Sequence, residues 1–184
     1  MSDIAEAHRT AAAAFTDRVR GVAPDAWDNP APCAGWVARD VVRHLVEWLP
    51  GFLAAGSTAT LPAVPDVDAD PLAAWTAHRD AVQALLEDPA RAAAVLHNPH
   101  LGELPVARAV DMFYTTDVFL HTWDLARATG QDERLDPDRC AALLAGMTGM
   151  EQAMRASGQF GPAVPVPADA DAQTRLLGFI GRQP

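Results

Sequence analysis

An aspartate and a histidine four residues apart are the first residues of this sequence that could do chemistry. Asp117 and His121 lie within the stretch 116–130, which is predicted to be the second half of a long helix ending at Gly130. Because an α-helix turns about 100° per residue, side chains at positions i and i+4 stack on one face. A carboxylate and an imidazole stacked in this way can both reach one divalent metal ion.

The surrounding helix, predicted at 105–129, strengthens this interpretation. Its apolar arc spans roughly 100° on a helical wheel and contains Val106, Val110, Phe113, Asp117, Leu120, His121, Trp123 and Asp124. The opposite, wet face is predicted to carry Arg108, Asp111, Thr115 and Thr122. A carboxylate on a buried stripe is costly unless it is paired, hydrogen-bonded or bound to a metal. The pattern therefore favours a specific role for Asp117.

A third candidate, His44, lies at the edge of the apolar arc of another helix, predicted at 36–55. Asp40 precedes His44 by four residues, and Glu47 follows it by three. A histidine at a core boundary can be a structural, hydrogen-bonded group. It can also be a metal ligand whose tautomer is fixed by a neighbouring acid. The residues alone favour the structural interpretation.

Other histidines and a cysteine are interpreted mainly as structural. His8 lies on an apolar helix face and is predicted to be packed or interfacial. His97 and His100 are three residues apart, but Pro99 places them on irregular backbone, so no shared face is predicted. Cys33 precedes a helix N-terminus, where the helix dipole favours the thiolate. A buried small residue is nevertheless the simpler interpretation of this cysteine.

A further group of side chains could support such a site. Asp124 could accept a hydrogen bond from the imidazole one turn before it or pair with an arginine, and Glu47 could play a similar part near His44. Tyr114 lies near the edge of the helical arc, which leaves its role open, and Cys140 is assigned to the core. Three tryptophans are also assigned mainly to the core, although they could line a pocket above a metal: Trp36, Trp48 and Trp123.

The elements that position these residues are predicted to be helices. Amphipathic patterns predict four long helices at 3–20, 36–55, 71–86 and 105–129, the first capped by Ser2 or Asp3. Further predictions are a short helical piece at 89–95, a weakly signalled extended pair at 94–104, a helix from Asp136 to Gly158, and a last helix at 172–180 capped by Asp171. On the second helix the residues predicted to point inward are Val37, Val41, Leu45, Trp48 and Phe52. On the fifth helix they are Cys140, Leu143, Leu144, Met147, Met150 and Met154, and on the third helix they include Leu72. These patterns predict an all-α helix bundle with extra short helices.

Size and composition limit the function classes. With 184 residues the chain is predicted to form one domain, 1–184. A formal net charge of −10 argues against nucleic acid or an anionic membrane as partner. The sequence contains neither a long apolar run nor a signal-peptide pattern. Two cysteines are best explained as reduced thiols, so a cytoplasmic location is expected.

Three segments resemble a known family. They are PCAGWVARDVVRHL at 32–45, HTWDLARATG at 121–130, and the tail from Phe160-Gly161-Pro162 through Pro165-Val166-Pro167 to Arg175-Leu176-Leu177 and Gly181-Arg182-Gln183-Pro184. The first two are similar to motifs of the actinobacterial mycothiol-dependent maleylpyruvate isomerase group of the DinB/YfiT-like superfamily. The tail resembles a short subfamily that has the metal-binding domain without the isomerase's C-terminal domain.

This resemblance implies a DinB/YfiT-like four-helix bundle that binds a divalent metal, commonly zinc or nickel, through three protein ligands. The family's first ligand position falls on His44, and its glutamate-x-x-x-histidine pair falls on Asp117 and His121. Aspartate is one methylene shorter than glutamate, so the metal would sit nearer the helix backbone or a water would intervene.

The resemblance also implies a function. The leading hypothesis is a metal-dependent thiol transferase or isomerase that uses a small thiol such as mycothiol and acts on a small electrophile. A metal-water hydrolase is the nearest alternative, and a non-catalytic metal-binding or ligand-binding stress or sensor module is the non-enzymatic one. The sequence leaves the oligomeric state open, and the apolar faces of the first and fifth helices are compatible with a homodimer.

Overall fold

The structure of the chain is a computed structural model that describes residues 3–99, 102–156, 158 and 160–184. Ser2 and His100, a predicted helix cap and a weak metal candidate, lie outside these residues. The described chain is mostly helical with one two-stranded antiparallel sheet, which confirms the predicted all-α, DinB/YfiT-like class with extra short helices. Among the helices of the described residues, none combines the length and the apolar composition that a membrane crossing requires.

The chain divides into two compact units. The first comprises the described residues of Met1–Ala31 and Gly35–Gln131, and the second comprises Pro32–Ala34 with the described residues of Asp132–Pro184. One domain across 1–184 stays a prediction. The first unit contains α1 (Asp3–Arg20), α2 (Ala38–Gly56), α3 (Pro71–Glu87), α4 (Pro89–Ala92), β1 (Val95–Asn98), β2 (Gly102–Pro105), α5 (Val106–Ala109), a π-helical turn (Val110–Thr115) and α6 (Thr116–Thr129). The second contains α7 (Pro137–Thr148), α8 (Glu151–Ala156) and α9 (Ala172–Phe179).

The first unit is built around α6, which packs against α1 and α2, while α3 packs against α1 and α2 in turn. The aromatic rings of Phe15 and Trp75 meet edge to face with centroids 4.6 Å apart in the core between α1 and α3. The Thr16 hydroxyl accepts a hydrogen bond from the Trp75 indole at 2.9 Å, so this buried donor is satisfied. The predicted bounds of the four long helices agree with the structure within two residues.

Helix α2 buries Val41 and Leu45 of the predicted arc, but the rest of its buried face differs from the prediction. Its fully buried residues include Val42, Leu49 and Leu53, whereas Trp48 and Phe52 of the predicted arc are only half-buried. The aliphatic row packs into the bundle, and the larger rings lie along its edge. The inward prediction for Leu72 is also wrong, because this residue lies in the first turn of α3 with 36% of its surface exposed.

The predicted fourth helix is interrupted by the π-helical turn. An extra residue in such a turn shifts the helical register, so a wheel drawn with one constant angle from 105 to 129 fails across it. Thr115 and Thr122, which were predicted to face water, are buried. The buried Thr122 hydroxyl has a hydrogen-bond partner, because it donates to the Val118 carbonyl at 2.8 Å. Helix α6 ends at Gly130, as predicted, and this glycine has a left-handed backbone conformation with φ of 67°.

The second unit is formed mainly by α7 packing on α9. Asp136 and Asp171 cap these helices by accepting hydrogen bonds from backbone N–H groups, as predicted. Cys140 is buried, as predicted, and burial raises the pKa of its thiol to about 11. The predicted single helix from Asp136 to Gly158 is divided into α7 and α8 at Gly149. Met150, which was predicted to point inward, is therefore 55% exposed.

Candidate metal centre

Helices α2 and α6 bring the three predicted ligands together. The Nε2 atom of His44 lies 2.9 Å from Oδ2 of Asp117, although the two residues are 73 positions apart in the chain. The Nε2 atom of His121 lies 3.4 Å from Oδ1 of the same carboxylate. One ligand atom from each of the three residues lies within 4.8 Å of the other two. Asp117 is therefore at the centre of the cluster.

Two imidazoles and one carboxylate are donors that suit a divalent transition metal. Two donors at about 2.0–2.1 Å from a metal, at a tetrahedral angle, are about 3.3–3.4 Å apart. The 3.4 Å between His121 Nε2 and Asp117 Oδ1 equals this value, whereas the 2.9 Å between His44 Nε2 and Asp117 Oδ2 is a hydrogen-bond distance. Two imidazoles and one carboxylate would leave positions open for a further ligand, which is typical of catalytic rather than structural sites. The shorter reach of aspartate is sufficient to bring its carboxylate to both imidazoles.

The orientation of His121 is fixed from behind by Asp124. The Nδ1 atom of His121 lies 2.8 Å from Oδ2 of Asp124, and both residues are buried. Because an ionised carboxylate can only accept, Nδ1–H is the donor in this contact. In the neutral ring Nε2 then carries a lone pair that a metal can bind, and in the protonated ring Nε2–H can donate to Asp117. A carboxylate behind a histidine in this way is a common feature of metal ligands. The predicted supporting role of Asp124 thus matches a contact in the structure.

Asp117 has a third neighbour that the sequence analysis missed as a donor. The indole Nε1–H of Trp48 donates to Oδ2 of Asp117 at 3.0 Å. Burial would raise the pKa of the Asp117 carboxyl, but the positive charge and hydrogen bonds available from His121 and His44 outweigh burial and hold the pKa well below its usual range. Trp48 follows His44 by four residues on the same helix face, and this spacing was the available signal.

Aromatic rings surround the cluster, and one edge of it is open to solvent. The Trp36 ring lies 5.0 Å from the His44 ring and 5.7 Å from the His121 ring, centroid to centroid. The side chains of His44 and Asp117 are 31% and 26% exposed, whereas that of His121 is only 6% exposed. A small molecule can therefore approach from the side of His44 and Asp117.

The remaining candidates lie elsewhere. Glu47 is largely exposed, with a carboxylate oxygen 3.9 Å from an Arg43 nitrogen. His97 is exposed and lies 3.2 Å from Glu103 across the hairpin. His8 is buried, as the structural interpretation predicts, and contacts Gln83 at 2.7 Å.

Two further predictions concern a cysteine and a tryptophan. Cys33 belongs to the second unit, where its Sγ atom accepts a hydrogen bond from Arg182 at 3.1 Å. Trp123 is buried in the core, with the Arg127 guanidinium 4.7 Å from its ring centroid. The core position predicted for Trp123 is therefore confirmed.

A helical bundle in which two histidines and an aspartate converge from facing helices has the architecture of a metal-binding four-helix bundle. Residues 8–126 match the family described as the mycothiol maleylpyruvate isomerase N-terminal domain, and the chain belongs to this family. The family resemblance inferred from the sequence motifs is thereby confirmed.

Two relatives match the chain over nearly its whole length. Both are described as uncharacterized proteins of Mycobacterium tuberculosis, one from strain CDC 1551 / Oshkosh and one from strain H37Rv. Each is 33% identical over 179 residues, which cover 96% of this chain and 96% of the relative. No solved structure matches the chain.

Proposed function

We propose that the protein is a metal-dependent thiol transferase or isomerase that acts on a small electrophile. In this proposal His44, Asp117 and His121 hold a divalent metal, zinc or nickel, and a small thiol of the mycothiol type is the co-substrate. Family membership supports a DinB-like metal-binding domain and a small-molecule thiol. The open edge of the cluster supports access by two small molecules.

The observation that supports the metal site best is the pairing of His121 with Asp117. Asp124 accepts the Nδ1–H of His121, so in the neutral ring the lone pair of Nε2 faces the Oδ1 atom of Asp117 at 3.4 Å. Two electron-rich atoms in this arrangement are stabilised only when a cation lies between or beside them. A proton can supply that charge, but three convergent donors from two helices are better explained by a metal ion.

The residues of the chain have separate roles in this proposal. Asp124 holds the His121 ring, Trp48 holds one carboxylate oxygen of Asp117, and the Trp36 ring packs against both imidazoles. A divalent metal, when bound, would lower the pKa of a thiol that reaches its open position. The exposed edge of His44 would then face the electrophile.

The alternatives use the same residues. A metal-water hydrolase would need the same open position, occupied by water instead of a thiol. Membership of the mycothiol maleylpyruvate isomerase N-terminal domain family favours a thiol over water in this position. A non-catalytic binding module would hold the metal without turnover.

The test measures metal content and thiol transfer with the same set of proteins. Wild-type protein, His44→Ala, His121→Ala and the matched surface control His97→Ala are purified, loaded with zinc or nickel and analysed for bound metal. Each is then incubated with mycothiol and a bimane electrophile. We expect about one metal per wild-type or His97→Ala chain, thiol consumption at least about tenfold above the free reaction, and loss of both in the two site variants.

Each alternative outcome has a clear meaning. Unchanged metal content in both site variants would place the metal elsewhere in the chain. Metal-loaded wild type that gives no acceleration over free mycothiol would refute the transferase. Hydrolysis of activated esters that disappears with a chelator would instead support the hydrolase.

A further inference from the structure

The α2 face that carries His44 continues as a row of aromatic side chains. Trp48 and Phe52 follow His44 at intervals of four residues, so the three side chains stand on one face of the helix. The ring centroids of His44 and Trp48 are 6.2 Å apart, and those of Trp48 and Phe52 are 5.7 Å apart. Phe113, from the π-helical turn, adds a ring 5.8 Å from Phe52. We call Trp48, Phe52 and Phe113 the aromatic stripe.

The aromatic stripe is not needed to fill the core of the bundle. Leu45, Leu49 and Leu53 occupy the buried face of α2, and all three are fully buried. All members of the stripe are only half-buried. Three adjacent rings left partly exposed to water are unfavourable in isolation, and such apolar patches commonly mark ligand-binding surfaces. The stripe is continuous with the metal ligands at His44.

The charges around the stripe select against anions. Glu47 lies on the same helix one position before Trp48 and is largely exposed. Arg43, one turn earlier, lies beside three carboxylates, those of Asp40, Glu47 and Asp68, so negative charge is in excess around it. The formal net charge of the whole chain is −10. An anionic substrate would be repelled along this approach, whereas a neutral ring would be accepted.

We propose that the aromatic stripe binds the electrophilic substrate, and that this substrate is neutral and planar, with an aromatic or conjugated group stacked on Phe52 and Phe113. This inference rests on the proposed function, because it assigns the substrate class of the same site. Planar rings stack on aromatic side chains at the separations seen within the stripe. The reactive carbon would then lie toward His44 and the open metal position.

The chemical step that this placement serves is conjugate addition of a thiol. The sulfur electron pair forms an S–C bond with the β-carbon of an activated alkene. The alkene π pair moves to the α-carbon, which takes up the proton that the thiol released. No oxidant or leaving group is required, so atoms and electrons balance with the thiol and the alkene alone.

The test compares three acrylamides with the same reactive alkene. N-Phenylacrylamide carries a planar neutral ring, N-cyclohexylacrylamide a ring of similar size that cannot stack, and N-(4-carboxyphenyl)acrylamide the planar ring with a negative charge. Zinc-loaded wild type, Phe52→Leu and Phe113→Leu are assayed with mycothiol. Leucine keeps most of the apolar volume and removes the ring. Phe179→Leu, in the second unit, is the matched control.

In the wild type we expect a KM for the phenyl substrate at least about fivefold below that for the cyclohexyl substrate. The kcat/KM for the carboxyphenyl substrate should be at least about tenfold below that for the phenyl substrate. Each stripe variant should raise the phenyl KM about three- to tenfold, the range for the loss of one aromatic pair. The same variants should leave the cyclohexyl KM within twofold and the bound zinc unchanged. Phe179→Leu should match the wild type.

Equal KM values for the phenyl and cyclohexyl substrates in the wild type would overturn the inference while leaving the proposed function intact. An equal rise for both substrates in the stripe variants would do the same. If no acrylamide is turned over, the bimane assay decides the proposed function, and binding of unreactive N-phenylpropionamide is measured by quenching of tryptophan fluorescence. Binding that weakens in Phe52→Leu would then support the stripe as a ligand site, and absence of binding would refute it.

Discussion

Replacing the buried His78 is expected to reduce the acid sensitivity of the fold. His78 lies on α3 and is 0% exposed. Neither of its ring nitrogens has a hydrogen-bond partner within the described part of the chain, and its ring centroid is 5.6 Å from that of Tyr114. Burial, and then the nearby charge of His8, lower the pKa of His78 from 6.5 to about 4. The folded protein therefore keeps this imidazole neutral under conditions in which the unfolded chain protonates it.

The size of the effect follows from the two pKa values. Because the pKa of His78 is depressed in the folded state, the unfolded state binds more protons as the pH falls below 6.5, and the free energy of unfolding decreases until the pH reaches about 4. Each pH unit in this window is worth about 1.4 kcal/mol. Between pH 7.5 and pH 5.0 the expected loss from His78 is therefore about 2 kcal/mol.

Urea unfolding of metal-free protein at pH 7.5 and pH 5.0 measures this loss. In His78→Phe the free energy of unfolding should fall by about 2 kcal/mol less than in the wild type over this interval. The exposed His97, replaced by glutamine, is the matched control and should behave as the wild type. An identical fall in wild type and His78→Phe would refute the argument from burial, whatever the absolute stability of the variant.

Two further predictions concern the orientation of a ligand and the end of α6. The variant Asp124→Asn keeps an oxygen near Nδ1 of His121 but removes the negative charge. Its metal affinity, measured by competition with a chelator, should be about 10–100-fold lower than that of the wild type. An unchanged metal affinity would contradict the role of Asp124 in orienting His121. Gly130→Ala should lower the free energy of unfolding by about 1 kcal/mol, because alanine disfavours a φ of 67°, whereas Gly146→Ala, inside α7, should raise it slightly. Thermal and urea unfolding distinguish the two glycines, and equal effects would contradict the conformational explanation.

Helix ends were predictable because their chemistry is local. Asp136 and Asp171, the predicted starts of two helices, each accept a hydrogen bond from the backbone N–H group three residues later, and Asp70 does the same at the start of α3. Proline at the first helical position of α3 and α7 reinforces the signal. No information from distant parts of the chain is needed, so the sequence reveals these ends directly.

The buried faces were less predictable, because they depend on the partner helices. On α2 the hydrophobic residues occupy more than one face, and only packing against α3 and α6 selects Leu49 and Leu53 over Trp48 and Phe52. Helix α6 lies at the centre of its unit, so even its polar residue Thr122 is buried. The π-helical turn gives no signal to a wheel that assumes one constant angle per residue.

The candidate site was predictable in two stages that have different physical bases. The pair Asp117 and His121 followed from the helical period, whereas His44 required a family resemblance, because no local rule connects residues 73 positions apart. The indole donor Trp48 was overlooked because tryptophans on a helix face are assigned to the core by default. A half-buried tryptophan next to a candidate ligand is better regarded as a possible hydrogen-bond donor.

The two imidazoles of the site differ in a way that assigns them different tasks. His121 is almost fully buried and held by Asp124, so its position is fixed before any metal or substrate binds. His44 lies at the open edge, contacts Trp36 and Trp48 and begins the row of rings that leads to Phe52. Preorganisation is therefore concentrated on α6, while α2 joins the candidate ligand His44 to the surface that a substrate would meet first. A reaction that needs both a fixed metal and access for two small molecules is suited to this division.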